Sequence, residues 1–135
     1  MNILFLCTGN SCRSQMAEGW GRYLAGEEHA FRSAGIEAHG KNPRAIAVMQ
    51  EAGVDIGAQE STALTGEMLA WADLVVTVCG HADEHCPVLP SGTLKRHWPL
   101  EDPAKTGGGE AQVMQVFRAS RDDIKRRVQE LLAGL

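Results

Sequence analysis

Short apolar runs alternating with helical patterns constrain this chain more than any other feature. The first run, Asn2 to Leu6 of "NILFLC", is too brief for a helix and has no polar face, which marks a strand buried on both sides. In "SQMAEGWGRYLAG", which follows, Met16, Trp20, Tyr23 and Leu24 share one face of a helix. "AFRSAGI" (Ala30 to Ile36) reads as a second strand. "PRAIAVMQEAG" is a second helix, with Asn42 as its N-cap, Pro43 at its first position and Gly53 at its C-terminal cap. Thr65 is placed to cap a short helix, "GEMLAWA". "DLVVTV" (Asp73 to Val78) is the clearest buried strand and "TLKRHW" a fourth. A helix from about Ala111 to Leu132 follows "KTGGGE", with Val113, Val116, Phe117, Ile124, Val128 and Leu131 on its apolar face.

This alternation predicts an α/β three-layer sandwich: a four-stranded parallel sheet with helices on both faces, forming one domain over residues 1–135. In such folds ligands collect beyond the carboxyl ends of the strands. Cys7, Cys79 and the Asp102-Pro103 loop all follow strand ends, so the topology brings them to one edge.

The segment "CTGNSCRS", Cys7 to Ser14, is then a strand-to-helix loop. Such a loop turns successive backbone N–H groups inward, and the helix behind it adds the positive end of its dipole, which suits a tetrahedral oxyanion. Thr8, Gly9, Asn10, Ser11, Cys12, Arg13 and Ser14 form the predicted cradle, with Arg13 gripping two oxygens. Cys7 stands at its mouth, where the same groups are expected to favour a thiolate and lower its pKa. Cys12 has neighbours that favour ionisation too. Asn10 and Ser14 are expected to hold the loop and to hydrogen-bond Cys7.

The net charge of −4 gives no support for nucleic acid or an anionic membrane as partner, so the anion site must be local. No secretory signal pattern is seen at the N-terminus, and no run approaches the ~18 apolar residues of a membrane span. The cytoplasm is therefore the expected compartment. Thiols are kept reduced there, which makes Cys7, Cys12, Cys79 and Cys86 candidates for chemistry or metal binding rather than a disulfide framework.

Cys7-x5-Arg13 followed by Ser14 resembles the phosphate-binding loop of the low-molecular-weight protein tyrosine phosphatase family. "CTGNSCRSQMAEGW" is closer still to the arsenate reductases built on that fold. The resemblance runs through "SAGIEAHG", "DLVVTVC", "HW" and "EDPA" in the family's order, and so covers nearly the whole chain. It implies arsenate as substrate, with phosphate or sulfate as competing oxyanions, and Asp102 as general acid. Asp-Pro is also an ordinary turn dipeptide.

The resemblance further implies a thiol relay in which Cys7 attacks arsenate, Cys79 attacks the Cys7 adduct and releases arsenite, and Cys86 takes over the disulfide. Thioredoxin would then reduce Cys79–Cys86. Glutaredoxin and small thiols serve related enzymes, but the spacing of Cys79 and Cys86 is similar to the thioredoxin-coupled type. No cofactor is implied, and a monomer is expected. Some relatives bind potassium near the loop; Asn10, Glu18 and Ser33 match that site, whereas Glu60 and Thr62 depart from it.

Other readings remain open at this point. "CGHADEHC" offers zinc ligand types in Cys79, His81, His85 and Cys86, or two inert thiols. A phosphotyrosine phosphatase would want aromatic residues beside its acid, where this chain has Ala104-Lys105. An arsenite- or zinc-binding sensor would need no oxyanion loop. Cys12 is either structural or a protective partner for Cys7, and His29, His39 and His97 read as surface or packing residues.

Overall fold

The central strand is the most apolar one, as burial on both faces requires. β1 (Asn2–Cys7) has Ile3 to Cys7 buried and lies between β2 (Ala30–Gly35) and β3 (Leu74–Thr77), with β4 (Leu94–His97) outside β3. All three pairings are parallel, and the register sets Cys7 beside Gly35 and Leu6 beside Thr77. The computed structural model describes all 135 residues. The α/β architecture with a four-stranded parallel sheet is as the alternation predicts.

Helices α1 (Arg13–Ala25), α2 (Pro43–Glu51) and α5 (Glu110–Ala133) pack against one another, while α3 (Gly66–Trp71) and α4 (Gly80–Glu84) pack on strands. Val113, Phe117, Ile124, Val128 and Leu131 are the buried face of α5, and the Trp20 indole N–H donates to Arg121 O at 3.1 Å. The predicted caps form. Asn42 accepts from Arg44 N, Thr65 accepts from Met68 N, and Gly53 follows α2 with φ +86°. Tyr23 is a correction: it is 60% exposed, its ring meeting the buried Trp20 edge-on. All four residues of β4 are exposed, because it is a sheet edge, and burial resumes only at Trp98.

Candidate functional site

The loop between β1 and α1 is shaped by what its carbonyls do. Cys7 O, Thr8 O and Gly9 O accept from Ile36, Glu37 and His39 N–H, and Ser11 O accepts from Asn42 N–H, at 2.9–3.0 Å. Asn10 O accepts from the Gln15 amide at 3.1 Å. With the carbonyls committed to the segment after β2 and to α1, the N–H groups of Gly9 to Cys12 are left without a protein acceptor. Asn10 makes the turn at φ +49°; its amide donates to Ser14 Oγ at 2.8 Å and accepts from Thr62 N–H at 2.8 Å. The loop is packed so closely that a Cβ on Gly35 would lie 2.7 Å from Asn10 N, and the His39 ring occupies the space a Gly9 side chain would need.

A pocket of about 280 Å³ opens inside this loop, lined by Cys7, Gly9, Ser11, Cys12, Arg13 and Asp102. Arg13 is buried; its Nη1 donates to Leu100 O at 3.0 Å, its Nη2 is 3.8 Å from Asp102 Oδ2, and its buried Nε has no partner. Asp102 caps the 3₁₀ turn Pro103–Lys105 through Ala104 N–H and lines the pocket as well, so its turn role and its site position coexist. The structure thus brings Cys7 and Arg13 together with the distant Cys79 and Asp102, Cys7 lining one pocket and Cys79 a second, with Thr8, Arg13, Asp102 and Lys105 lining both. Cys86, half-buried beyond α4, stands outside the pocket lining.

The ionisation of the thiols departs from expectation. Cys7 and Cys79 act on each other: Cys79 is pulled below the usual thiol range and Cys7 is pushed above it. Cys79 has Cys7 beside it, shares a hydrogen bond with the Thr8 hydroxyl (3.1 Å) and accepts from Ala82 N–H (3.3 Å), and its pKa falls to about 4. Cys7 has Cys79 beside it and is deeply buried, so its thiol is pushed up despite Arg13. Burial likewise raises Cys12 to about 12, aided by the negative Asp102, and raises Cys86. Neither Asn10 nor Ser14 bonds to Cys7, contrary to the sequence reading; they bond to each other and hold the loop.

The residues matched to potassium are each engaged with protein groups. Glu18 Oε1 accepts from Ser33 Oγ at 2.5 Å, Glu18 Oε2 pairs with Arg22 at 2.8 Å, and the Asn10 carbonyl is taken by Thr62. The positive charge beside Glu18 is already the Arg22 guanidinium. The zinc reading of "CGHADEHC" lacks a converging set: no three His, Cys, Asp or Glu side chains are grouped to hold a metal. His39 and Lys105 line the Cys7 pocket, and His81 bonds Thr8. As site residues, His39 and Lys105 escaped the sequence reading, since each is a lone polar residue in an irregular segment.

The low molecular weight phosphotyrosine protein phosphatase family model matches residues 2–135. An arsenate reductase of Halalkalibacterium halodurans is 54% identical over 126 residues, 93% of this chain and 91% of that protein. Among solved structures, an arsenate reductase in the phosphate binding state superposes with a TM-score of 0.81 at 36% identity, covering 98% of this chain and 97% of its own. A thioredoxin-dependent arsenate reductase of Corynebacterium glutamicum superposes with a TM-score of 0.78 at 28% identity, covering 98% of this chain and 60% of its own. No helix is long and apolar enough to cross a membrane. On loop, sheet and these likenesses together, the chain belongs to the low molecular weight phosphotyrosine protein phosphatase family.

Proposed function

We propose that the protein is an arsenate reductase working through Cys7, Cys79 and Cys86 with thioredoxin as electron donor. The observation that carries this reading is that Cys79 stands at the oxyanion-shaped loop next to Cys7, its sulfur 3.1 Å from Thr8 Oγ1, since a phosphatase has no use for a second thiol there. The 54% identity to an arsenate reductase supports the substrate, and the thioredoxin-dependent neighbour supports the donor.

Arsenate sits on the N–H groups of Gly9 to Cys12, with Arg13 on two of its oxygens. The Cys7 sulfur attacks arsenic as its proton passes to the neighbouring Cys79, and the departing oxygen leaves as water with a proton that Asp102, ionised at rest, has taken up from the bound arsenate. Cys79 then attacks the Cys7 sulfur. An S–S bond forms, the S–As bond breaks, and its electron pair stays on arsenic, which leaves as arsenite. Cys79 already stands at the loop next to Cys7, its sulfur 3.1 Å from Thr8 Oγ1, so no large swing of the kind a relay of distant thiols would need is required.

The third thiol is different. The five residues of α4 alone advance about 7.5 Å, at 1.5 Å each, whereas a disulfide holds Cα atoms about 4.4–6.8 Å apart. Formation of Cys79–Cys86 therefore requires α4 to open, which exposes the disulfide to thioredoxin.

Arsenate-dependent NADPH oxidation in the presence of thioredoxin and thioredoxin reductase, compared with glutaredoxin, glutathione and mycothiol, is the test. Oxidation with the thioredoxin system alone is expected, and none with any donor overturns the reading. Cys86→Ser is expected to release about one arsenite per molecule, ending as Cys7–Cys79 by mass spectrometry.

A further inference from the structure

On the solvent side of the two sulfurs, a single hydroxyl stands between two groups that exchange protons. Thr8 Oγ1 is 3.1 Å from Cys79 Sγ and 3.3 Å from His81 Nδ1. A hydroxyl donates one hydrogen bond while accepting others, so this trio has two matched arrangements. In one, the Cys79 thiol donates to Thr8, and Thr8 donates to Nδ1 of a neutral imidazole. In the other, each proton has moved one place: an imidazolium donates to Thr8, and Thr8 donates to a Cys79 thiolate. Cys79 is buried and His81 exposed, so the trio runs from the interior to water.

We propose that Thr8 and His81 form a proton wire that empties Cys79 of its proton between the two chemical steps, making His81 a positioning residue for the second nucleophile. The inference rests on the thiol relay proposed above. In the resting protein the neighbouring Cys7 thiol does most to lower Cys79. Once the Cys7 sulfur is bonded to arsenic that thiol is gone, and its proton sits on Cys79. Cys79 must lose this proton at the moment its largest stabiliser has left. Ala82 N–H and Arg13 remain beside it, but neither accepts a proton. Through Thr8, an imidazole does so near neutral pH.

The step balances as follows. The Cys79 proton moves to the Thr8 oxygen, and the Thr8 proton moves to His81 Nδ1. The freed sulfur pair forms the bond to Cys7, arsenic keeps the pair of the broken S–As bond, and two thiols become one disulfide as As(V) becomes As(III). His81 later gives its proton to water or to an arsenite oxygen. The charges around the ring nearly cancel. Arg13 and Lys105 oppose Glu101 and Asp102 across a pocket of about 460 Å³, and along its own helix lie Asp83, Glu84 and, edge-on at 4.2 Å, His85.

The test is the pH profile of Cys7–Cys79 formation in a single turnover, in the Cys86→Ser protein with and without His81→Asn. Asparagine presents an amide near the place of Nδ1, keeps a hydrogen bond to Thr8 and takes no proton. The acid limb is expected to move up by about one pH unit, a tenfold loss on that limb, with the two rates converging at alkaline pH. Added imidazole should restore His81→Ala, because the ring position is open to solvent. An unmoved limb, or an equal loss at every pH, overturns the wire. Absence of any Cys7–Cys79 disulfide in the Cys86→Ser parent overturns the relay itself, and the wire with it.

Discussion

Replacing Cys7 by alanine removes the neighbouring thiol that does most to lower Cys79, and leaves the Thr8 hydroxyl, Ala82 N–H and Arg13 in place. A hydrogen bond to a charged group contributes about 1.5–3 kcal/mol, and a pKa unit corresponds to about 1.4 kcal/mol. Cys79 should therefore titrate about one to two units above its wild-type value of about 4. Cys7→Ser keeps an O–H donor and should move it less. The assay is the ultraviolet absorbance of the thiolate followed against pH. Because Cys12 is pushed up to about 12 and Cys86 is raised as well, the acidic part of that curve reports the Cys7–Cys79 pair alone. Alkylation under mildly acidic conditions, mapped by mass spectrometry, should mark Cys79 before Cys7. A midpoint in Cys7→Ala equal to that of the wild type, or a resting protein with no thiolate at neutral pH, would refute this account of the pair.

Arg13→Lys should weaken arsenate binding and kcat/KM about ten- to a hundredfold, since an ammonium cannot both hold Leu100 O and grip two oxygens; unchanged steady-state constants would remove Arg13 from the site. Gly35→Ala forces a Cβ to 2.7 Å from Asn10 N, and the strain should cost about 1–3 kcal/mol in chemical denaturation while slowing turnover; an unshifted denaturation midpoint argues against the close packing. The thiol pair also predicts a stability profile. Cys79 is lowered from 9.0 to about 4, so its contribution is complete above pH 9 and is lost as pH falls towards 4; Cys7 is raised, so the folded protein loses stability above pH 9, where an unfolded Cys7 would ionise. Denaturation midpoints measured against pH in wild type and in Cys7→Ala/Cys79→Ala should differ in this bell-shaped component, and identical profiles contradict it.

The framework was legible because its signals are local. Asn42 with Pro43, Thr65, Gly53 and the apolar runs at Ile3 and Leu74 each act within a few residues, and all form as read. The loop from Cys7 to Ser14 was legible for the same reason. What escaped depends on contacts between distant segments. The opposed shifts of the two thiols follow from parallel pairing that brings Cys79 beside Cys7, and from α4 offering Ala82 N–H to Cys79 alone. Arg22 reaching Glu18 puts a guanidinium against a carboxylate of the motif, a contact the motif itself does not announce. Tyr23 shows the limit of periodicity: it shares a face with Trp20, but the core ends before its ring.

β4 ends the sheet with an unpaired outer rim, and unpaired rims invite a second copy to add its own strand. This one is only Leu94 to His97, and three of its four side chains are Lys95, Arg96 and His97. Lys95 is tied across to Asp83 of α4 at 2.7 Å, with Thr77 between His97 (2.8 Å) and the same carboxylate (3.3 Å). A neighbouring molecule docking along this rim would set basic side chain against basic side chain and have to loosen the tie to α4. The rim that anchors α4 thereby also opposes edge-to-edge pairing, so neutralising Lys95 and Arg96 would invite edge-to-edge aggregation as well as a looser α4.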